Sequence, residues 1–223
     1  MENIEEIFNE ILACDVKEAL KYSKDGFKES GNPEFLIYTA HCYLVQGFYE
    51  DAINKCVDYI ENFECDGKQL SDLKCIIGWT YLLNLNNKDI AKEAFLEAIE
   101  DYSNCPRAYT GLGIYEANNK NFNEAIKYFE KAIELNEEDG ENYFALAICN
   151  KEINNFDVVE EYLVKANALE PEDNRIIEEY AFELLRQGRE KEAIEYFKEI
   201  IRENPNNDEI KRLILELEKH QNS

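Results

Sequence analysis

His41 and Cys42 are neighbours in this sequence, and a histidine beside a cysteine is the pairing that suits nucleophilic catalysis, the imidazole taking the thiol proton. Adjacent residues on a helix point about 100° apart, so on a helical segment these two cannot face each other. The other histidine, His220, falls in a C-terminal tail. The seven cysteines (Cys14, Cys42, Cys56, Cys65, Cys75, Cys105 and Cys149) contain no Cys-x-x-Cys pair and keep no regular spacing. They are odd in number and read as free thiols of a reducing cytosol, Cys56 serving as a small core residue four after Ala52. The acidic run Glu137-Glu138-Asp139 lacks the alternating ligand spacing of a calcium loop and suits the start of a following helix. No glycine-rich phosphate loop is present. The expectation is a chain with no catalytic residues, no metal and no cofactor, hence not an enzyme.

The elements that carry these residues recur with a fixed period. Ala91, Ala125, Val159 and Ala193 each stand 34 apart. Phe95, Phe129, Leu163 and Phe197 follow at the fourth place after each, and Ala98, Ala132, Ala166 and Ile200 at the seventh. A small residue, a large apolar one at i+4 and a small one at i+7 mark the packed face of a helix. Its return at fixed period means one supersecondary unit stacked on copies of itself. Only 9 Gly and 4 Pro, with 45% hydrophobic residues, agree with an all-helical chain that has ample core.

The clearest unit runs from Pro106, with Tyr109-x-x-Leu112-Gly113, a break at Asn118–Asn121, then Phe122, Ala125, Phe129 and Ala132. This resembles the tetratricopeptide repeat, with Glu116 where an aromatic is usual, Tyr115 beside it, and Glu137 at the usual proline. The next two units carry Tyr143, Leu146 and Ala147, then Tyr180 and Ala181, and end at Pro171 and Pro205, again 34 apart. Upstream the pattern loosens. Ala52 and Ala91 stand 39 apart, which places five extra residues in 61–70, around Asp66-Gly67, and one extra residue is expected in the turn 84–87. The resemblance implies an all-α fold, a right-handed α-solenoid of about six helical hairpins in a single domain over 1–223. The units are about 1–32, 33–70, 71–105, 106–139, 140–173 and 174–207. A capping helix over 208–220 would cover the last of them with Ile210, Leu213, Ile214 and Leu217.

The formal charge of −24 argues against nucleic acid and anionic membrane, both of which need basic surface. It serves solubility or favours a basic partner. The first residues show no signal peptide, and no apolar run is long enough to cross a bilayer, so the expected location is cytoplasmic. The Asn-, Lys- and Ile-rich composition looks like that of an AT-rich bacterial genome.

The resemblance also implies a concave groove lined by first helices. Its inward positions, carried over to this chain, include Ile37 and His41; Cys75 and Trp79; Arg107, Thr110 and Ile114; Phe144 and Ile148; and Arg175, Glu178 and Phe182. Counting strictly by 34 moves Trp79 to the packed eighth position instead. The clamp of basic and amide residues that holds a C-terminal carboxylate in this family is not matched, because its places hold Ile37 and His41, or Thr110 and Ile114. The apolar inward positions suit an amphipathic helix or extended apolar segment of a protein partner. The expected role is a scaffold or adaptor; the alternative is a self-associating regulatory or assembly subunit whose groove is filled by another copy.

Overall fold

A computed structural model describes residues 4–84 and 87–221 of the chain. Among them are thirteen α-helices, one 3-10 turn (Phe156–Val158) and no strand. The helices are α1 (Ile4–Cys14), α2 (Val16–Ser30), α3 (Glu34–Val45), α4 (Tyr49–Asn62), α5 (Gly67–Asn84), α6 (Lys88–Asp101) and α7 (Pro106–Asn118). They continue as α8 (Phe122–Leu135), α9 (Gly140–Glu152), α10 (Val159–Leu169), α11 (Asn174–Arg186), α12 (Glu190–Glu203) and α13 (Asp208–Gln221). They group into two compact units, Met1–Asn119 and Lys120–Ser223.

Helix ends follow local chemistry. Asp15, Asp139 and Asp173 cap α2, α9 and α11 by accepting from the backbone N–H groups of Lys17 at 2.7 Å, Asn142 at 3.3 Å and Arg175 at 2.8 Å. Asp139, the end of the acidic run, is thus a helix cap. Pro106 occupies the first position of α7, where its missing N–H loses nothing. Within the hairpins, the residue that reverses the chain takes a left-handed conformation: Gly47 (φ 77°), Lys120 (φ 63°), Asn154 (φ 60°) and Gly188 (φ 75°). The last three stand 34 apart.

The five surplus residues expected in 61–70 lengthen a helix. α5 has 18 residues where α7 has 13, and it starts at Gly67. A Cβ there would lie 2.5 Å from the Asp101 carbonyl oxygen, so glycine is what lets α5 begin against the end of α6. Leu85 and Asn86, in the turn expected to hold one more residue, lie outside the described residues.

In the first unit, the residues at i, i+4 and i+7 of the second helices α4 and α6 pack inward. Ala52, Cys56 and Tyr59 of α4 are fully buried against Ala40, Leu73 and Ile76. Ala91, Phe95 and Ala98 of α6 are fully buried as well. A Cβ on either Gly78 of α5 or Gly111 of α7 would collide with the Phe95 ring, so the two glycines hold that ring from both neighbouring helices. Glu116, the departure from the repeat pattern, is buried on α7 and pairs with Lys92 of α6 at 2.8 Å. Lys92 also lies 4.8 Å from the centre of the Tyr115 ring, whose hydroxyl donates to Asp89 at 3.0 Å.

In the second unit, Ala125, Phe129 and Ala132 of α8, Leu163 and Ala166 of α10, and Ala193, Phe197 and Ile200 of α12 form the buried stripe. The last helix covers it with Ile210 and Ile214, both buried, and with Leu213 and Leu217 packed beside them. No described helix is long and apolar enough to cross a membrane.

Candidate functional site

In the first unit, one face of each first helix borders a cavity of about 320 Å³. Ile37, Tyr38 and His41 come from α3, Asp72 and Ile76 from α5, and Arg107 from the first turn of α7. Phe8 and Asn9 of α1 close its end, with Phe8 stacked on Tyr38 at 4.5 Å between ring centres. The i, i+4 pairs 37/41 and 72/76 put their side chains on one face of each helix. Burial, and then the positive charge of Arg107, push the His41 imidazole down to about 3, so it is neutral at pH 7. Arg107 makes no ion pair among the described residues.

Cys42 turns away from this cavity into the cluster of Phe8 and Ala19, and burial raises its thiol to about 11. The adjacent His41 and Cys42 therefore do not meet. Of the other inward positions in this unit, Thr110 donates its hydroxyl back to the Pro106 carbonyl at 3.2 Å, and Ile114 is half-buried on the same helix. Trp79 is half-buried and lies edge-on to Phe95 at 5.5 Å, within the hairpin packing that strict counting by the period implies. Cys75 is fully buried.

A contact between two thiols had no signature in the sequence. The Cys75 and Cys105 sulfurs stand 3.4 Å apart, in the interior of the first unit. Cys105 is the residue that precedes α7, and Cys75 lies mid-way along α5. Ser71, one turn before Cys75, precedes Cys105 by one full repeat period, so the repeat stacks the start of one unit on the start of the next. That register brings the pair together; no local motif does. The Cys105 thiol is lowered to about 6, first by the Cys75 thiol, against the opposing effect of burial, and then by the Ser71 hydroxyl, the Ala108 amide and Arg107. The Cys75 thiol is raised well above its ordinary value, by that same contact first and by burial second.

In the second unit, Phe144 and Ile148 are half-buried on α9. Arg175 of α11 lies 5.7 Å from the centre of the Phe144 ring and pairs with Glu141 and Asp173. Further along, Glu178 and Phe182 of α11 face Glu209, Ile210, Arg212, Leu213 and Glu216 of α13 across a groove of about 390 Å³. Phe182 is 39% exposed although its ring meets Phe197 at 5.3 Å, so one side is packed and the other open. An apolar floor of Phe182 and Leu213 is thus bordered by three carboxylates and one guanidinium. The capping helix, expected only to seal the core, also supplies one wall of this groove. Among the described residues no group of three His, Cys, Asp or Glu side chains could hold a metal ion.

The sequence model of the tetratricopeptide repeat matches residues 106–139, and a second model of the same repeat matches 71–100 and 178–207. No curated protein matches the sequence. Among solved structures, the chain is similar to one in the crystal structure of the APC/C hetero-tetramer Cut9–Hcn1, with a TM-score of 0.74 and 17% identity over 95% of this chain. The match spans 45% of that longer chain. A thermophilic TPR protein of Thermus thermophilus matches with a TM-score of 0.65 and 18% identity, over 81% of this chain and 96% of that one. A MamA structure matches with a TM-score of 0.56 and 18% identity, over 78% of this chain and 92% of that one. At these identities the likeness is one of fold.

Proposed function

The chain carries tetratricopeptide repeats, and we propose that it is a scaffold or adaptor that binds an amphipathic segment of a protein partner, basic on one side and apolar on the other. Proteins of this fold generally serve as protein–protein interaction scaffolds, and the likeness to a subunit of a multiprotein assembly is in keeping with that role. The observation that carries the finer reading is the groove between α11 and α13. Phe182 presents an open ring face there, Leu213 extends the apolar floor, and Glu178, Glu209 and Glu216 border it. An apolar side chain seated on Phe182 gains from leaving water, while lysine or arginine beside it meets carboxylates that outnumber Arg212 three to one. The net charge of −24 steers a basic segment toward the chain and opposes close approach of a second copy. In this reading Phe144 and Ile148, half-buried on α9 of the same unit, add apolar contact, and no catalytic step is involved.

The test is direct binding of synthetic amphipathic helical peptides, followed by fluorescence anisotropy. A peptide with a Leu/Phe face and a Lys/Arg face should bind, and its acidic counterpart should not. Phe182→Glu and Glu178→Lys should each weaken binding about tenfold or more, and added salt should weaken it further. Equal binding by wild type and both variants would remove the groove as the site. A molecular mass that rises with concentration, and stops rising in Phe182→Glu, would favour the self-associating alternative.

A further inference from the structure

We propose that Cys75 and Cys105 are a reversible dithiol–disulfide site, oxidised by a hydroperoxide and restored by a low-molecular-weight dithiol. The sulfurs are already at 3.4 Å, so closing the bond needs a shift of little more than an ångström between side chains that lie next to each other. The two cysteines have different surroundings. Cys105 sits at the start of α7, where the helix N-terminus, the Ala108 amide and Arg107 all favour a negative sulfur. Cys75 is enclosed on α5 and keeps its proton. Such an arrangement assigns the attacking sulfur to Cys105 and the resolving one to Cys75. The other buried cysteines, Cys42, Cys56 and Cys149, are held protonated by burial and have no thiol partner among the described residues.

The chemistry balances with the peroxide as two-electron oxidant. The Cys105 thiolate attacks one oxygen of the O–O bond, that bond breaks, and the leaving hydroxide (or alkoxide) takes a proton. Cys105 becomes a sulfenic acid. The Cys75 sulfur then attacks the Cys105 sulfur, the S–O bond breaks, and the departing hydroxide leaves as water with the proton from Cys75. Two thiols and hydrogen peroxide give one disulfide and two waters. Thiol–disulfide exchange with a dithiol reverses the change. Only 5% of Cys105 is exposed, which admits a small peroxide through brief local opening and shields the thiolate from bulky disulfides. The product would tie the start of α7 to α5. Arg107, two residues beyond Cys105, lines the cavity shared with His41 and Asp72, so the bond would also fix one wall of that cavity.

The experiment uses the full wild-type chain, reduced, freed of reductant and exposed to a small molar excess of hydrogen peroxide. Remaining thiols are then alkylated in denaturant and the chain is mapped by mass spectrometry. The expected result is a loss of two hydrogens and a covalent link, resistant to the alkylating agent, between the peptides holding Cys75 and Cys105, with Cys42, Cys56 and Cys149 alkylated in full. Dithiothreitol should return both thiols. In Cys75→Ser, a sulfenic acid at Cys105 should accumulate and be trapped by dimedone. Should that variant fold poorly, the wild-type mapping stands without it. Oxidation confined to Cys14 or Cys65, with Cys75 and Cys105 still alkylated, would overturn the proposal. So would over-oxidation of Cys105 without a link.

Discussion

Lys92 of α6 reaches the buried carboxylate of Glu116 on α7 at 2.8 Å, and so pairs charges across two successive repeats where the repeat pattern would place an aromatic ring. The carboxylate is almost enclosed, with 7% of its side chain exposed, while Lys92 keeps 36%. Removing the lysine leaves a buried charge, which costs about 3–5 kcal/mol in fully enclosed pairs. Because Lys92 is partly solvated, Lys92→Met should destabilise the chain by about 2 kcal/mol. Adding Glu116→Phe should recover most of that loss, since both charges are then gone. Urea unfolding of the wild type, the single variant and the double variant measures it. A double variant no better than the single would show that the pair is not the source of the loss.

The Phe95 ring is the large residue of its repeat and has no room on either side, with Gly78 and Gly111 against it. In Gly111→Ala the new methyl group meets a ring that is already close against Gly78, where an added Cβ would lie 2.6 Å from the same ring. Overpacking of this kind costs about 1–3 kcal/mol. Phe95→Leu introduced with Gly111→Ala should cost less than the sum of the two separate changes, by about 1 kcal/mol or more. Strict additivity in the denaturation data would mean that the methyl group is accommodated elsewhere.

The regular part of the fold could be read from the chain because its cause is local and repeated. Ala125, Phe129 and Ala132 mark a buried stripe by type and spacing alone, and Pro106 marks the start of α7. Surplus residues near Asp66 were locatable by count, but their outcome was not. Whether they form a loop or lengthen α5 depends on Gly67 fitting against the Asp101 carbonyl, at a helix end one repeat period further along the chain. Glu116 looked like a lapse in the pattern because its partner, Lys92, sits 24 residues earlier on another helix. The Cys75–Cys105 contact was invisible for the same reason, since thirty residues separate the two and neither lies in a local motif. The groove at Phe182 was half legible: α11 supplied the residues that the repeat predicts, whereas the wall from α13 follows only from how that last helix seats.

Lys120 takes φ 63°, the left-handed region that Gly47 and Gly188 occupy at corresponding turns. A side chain there costs about 1–2 kcal/mol that glycine avoids, while glycine gives up some of this gain through its freer unfolded chain. Lys120 is exposed, so its side chain has little packing to lose. Lys120→Gly should therefore stabilise the second unit by about 0.5–1 kcal/mol, read as a higher denaturation midpoint. Asn154→Gly should do less, because asparagine tolerates this conformation better. A lower midpoint for Lys120→Gly would mean that the lysine makes a contact worth more than its strain.

His41 ties stability to pH through burial. Its imidazole is lowered from 6.5 to about 3, chiefly by desolvation and secondarily by Arg107, with Asp72 also facing the cavity. The unfolded chain therefore takes up a proton between these values that the folded chain refuses. The sign follows: this contribution is complete above pH 6.5 and is lost as pH falls toward 3, by at most about 1.4 kcal/mol per pH unit. His41→Gln keeps a hydrogen-bonding side chain and cannot titrate. The stability difference between wild type and His41→Gln should hence shrink by about 1–2 kcal/mol from pH 7 to pH 5. Carboxylates elsewhere titrate alike in both proteins and cancel in the comparison. Imidazole proton NMR gives an independent reading, because the chain has only two histidines and His220→Gln assigns them. The His41 signals should stay constant from pH 7.5 to pH 5. A shift with a midpoint above pH 6 would mean that the side chain is solvated and that the cavity is wider open than its walls imply.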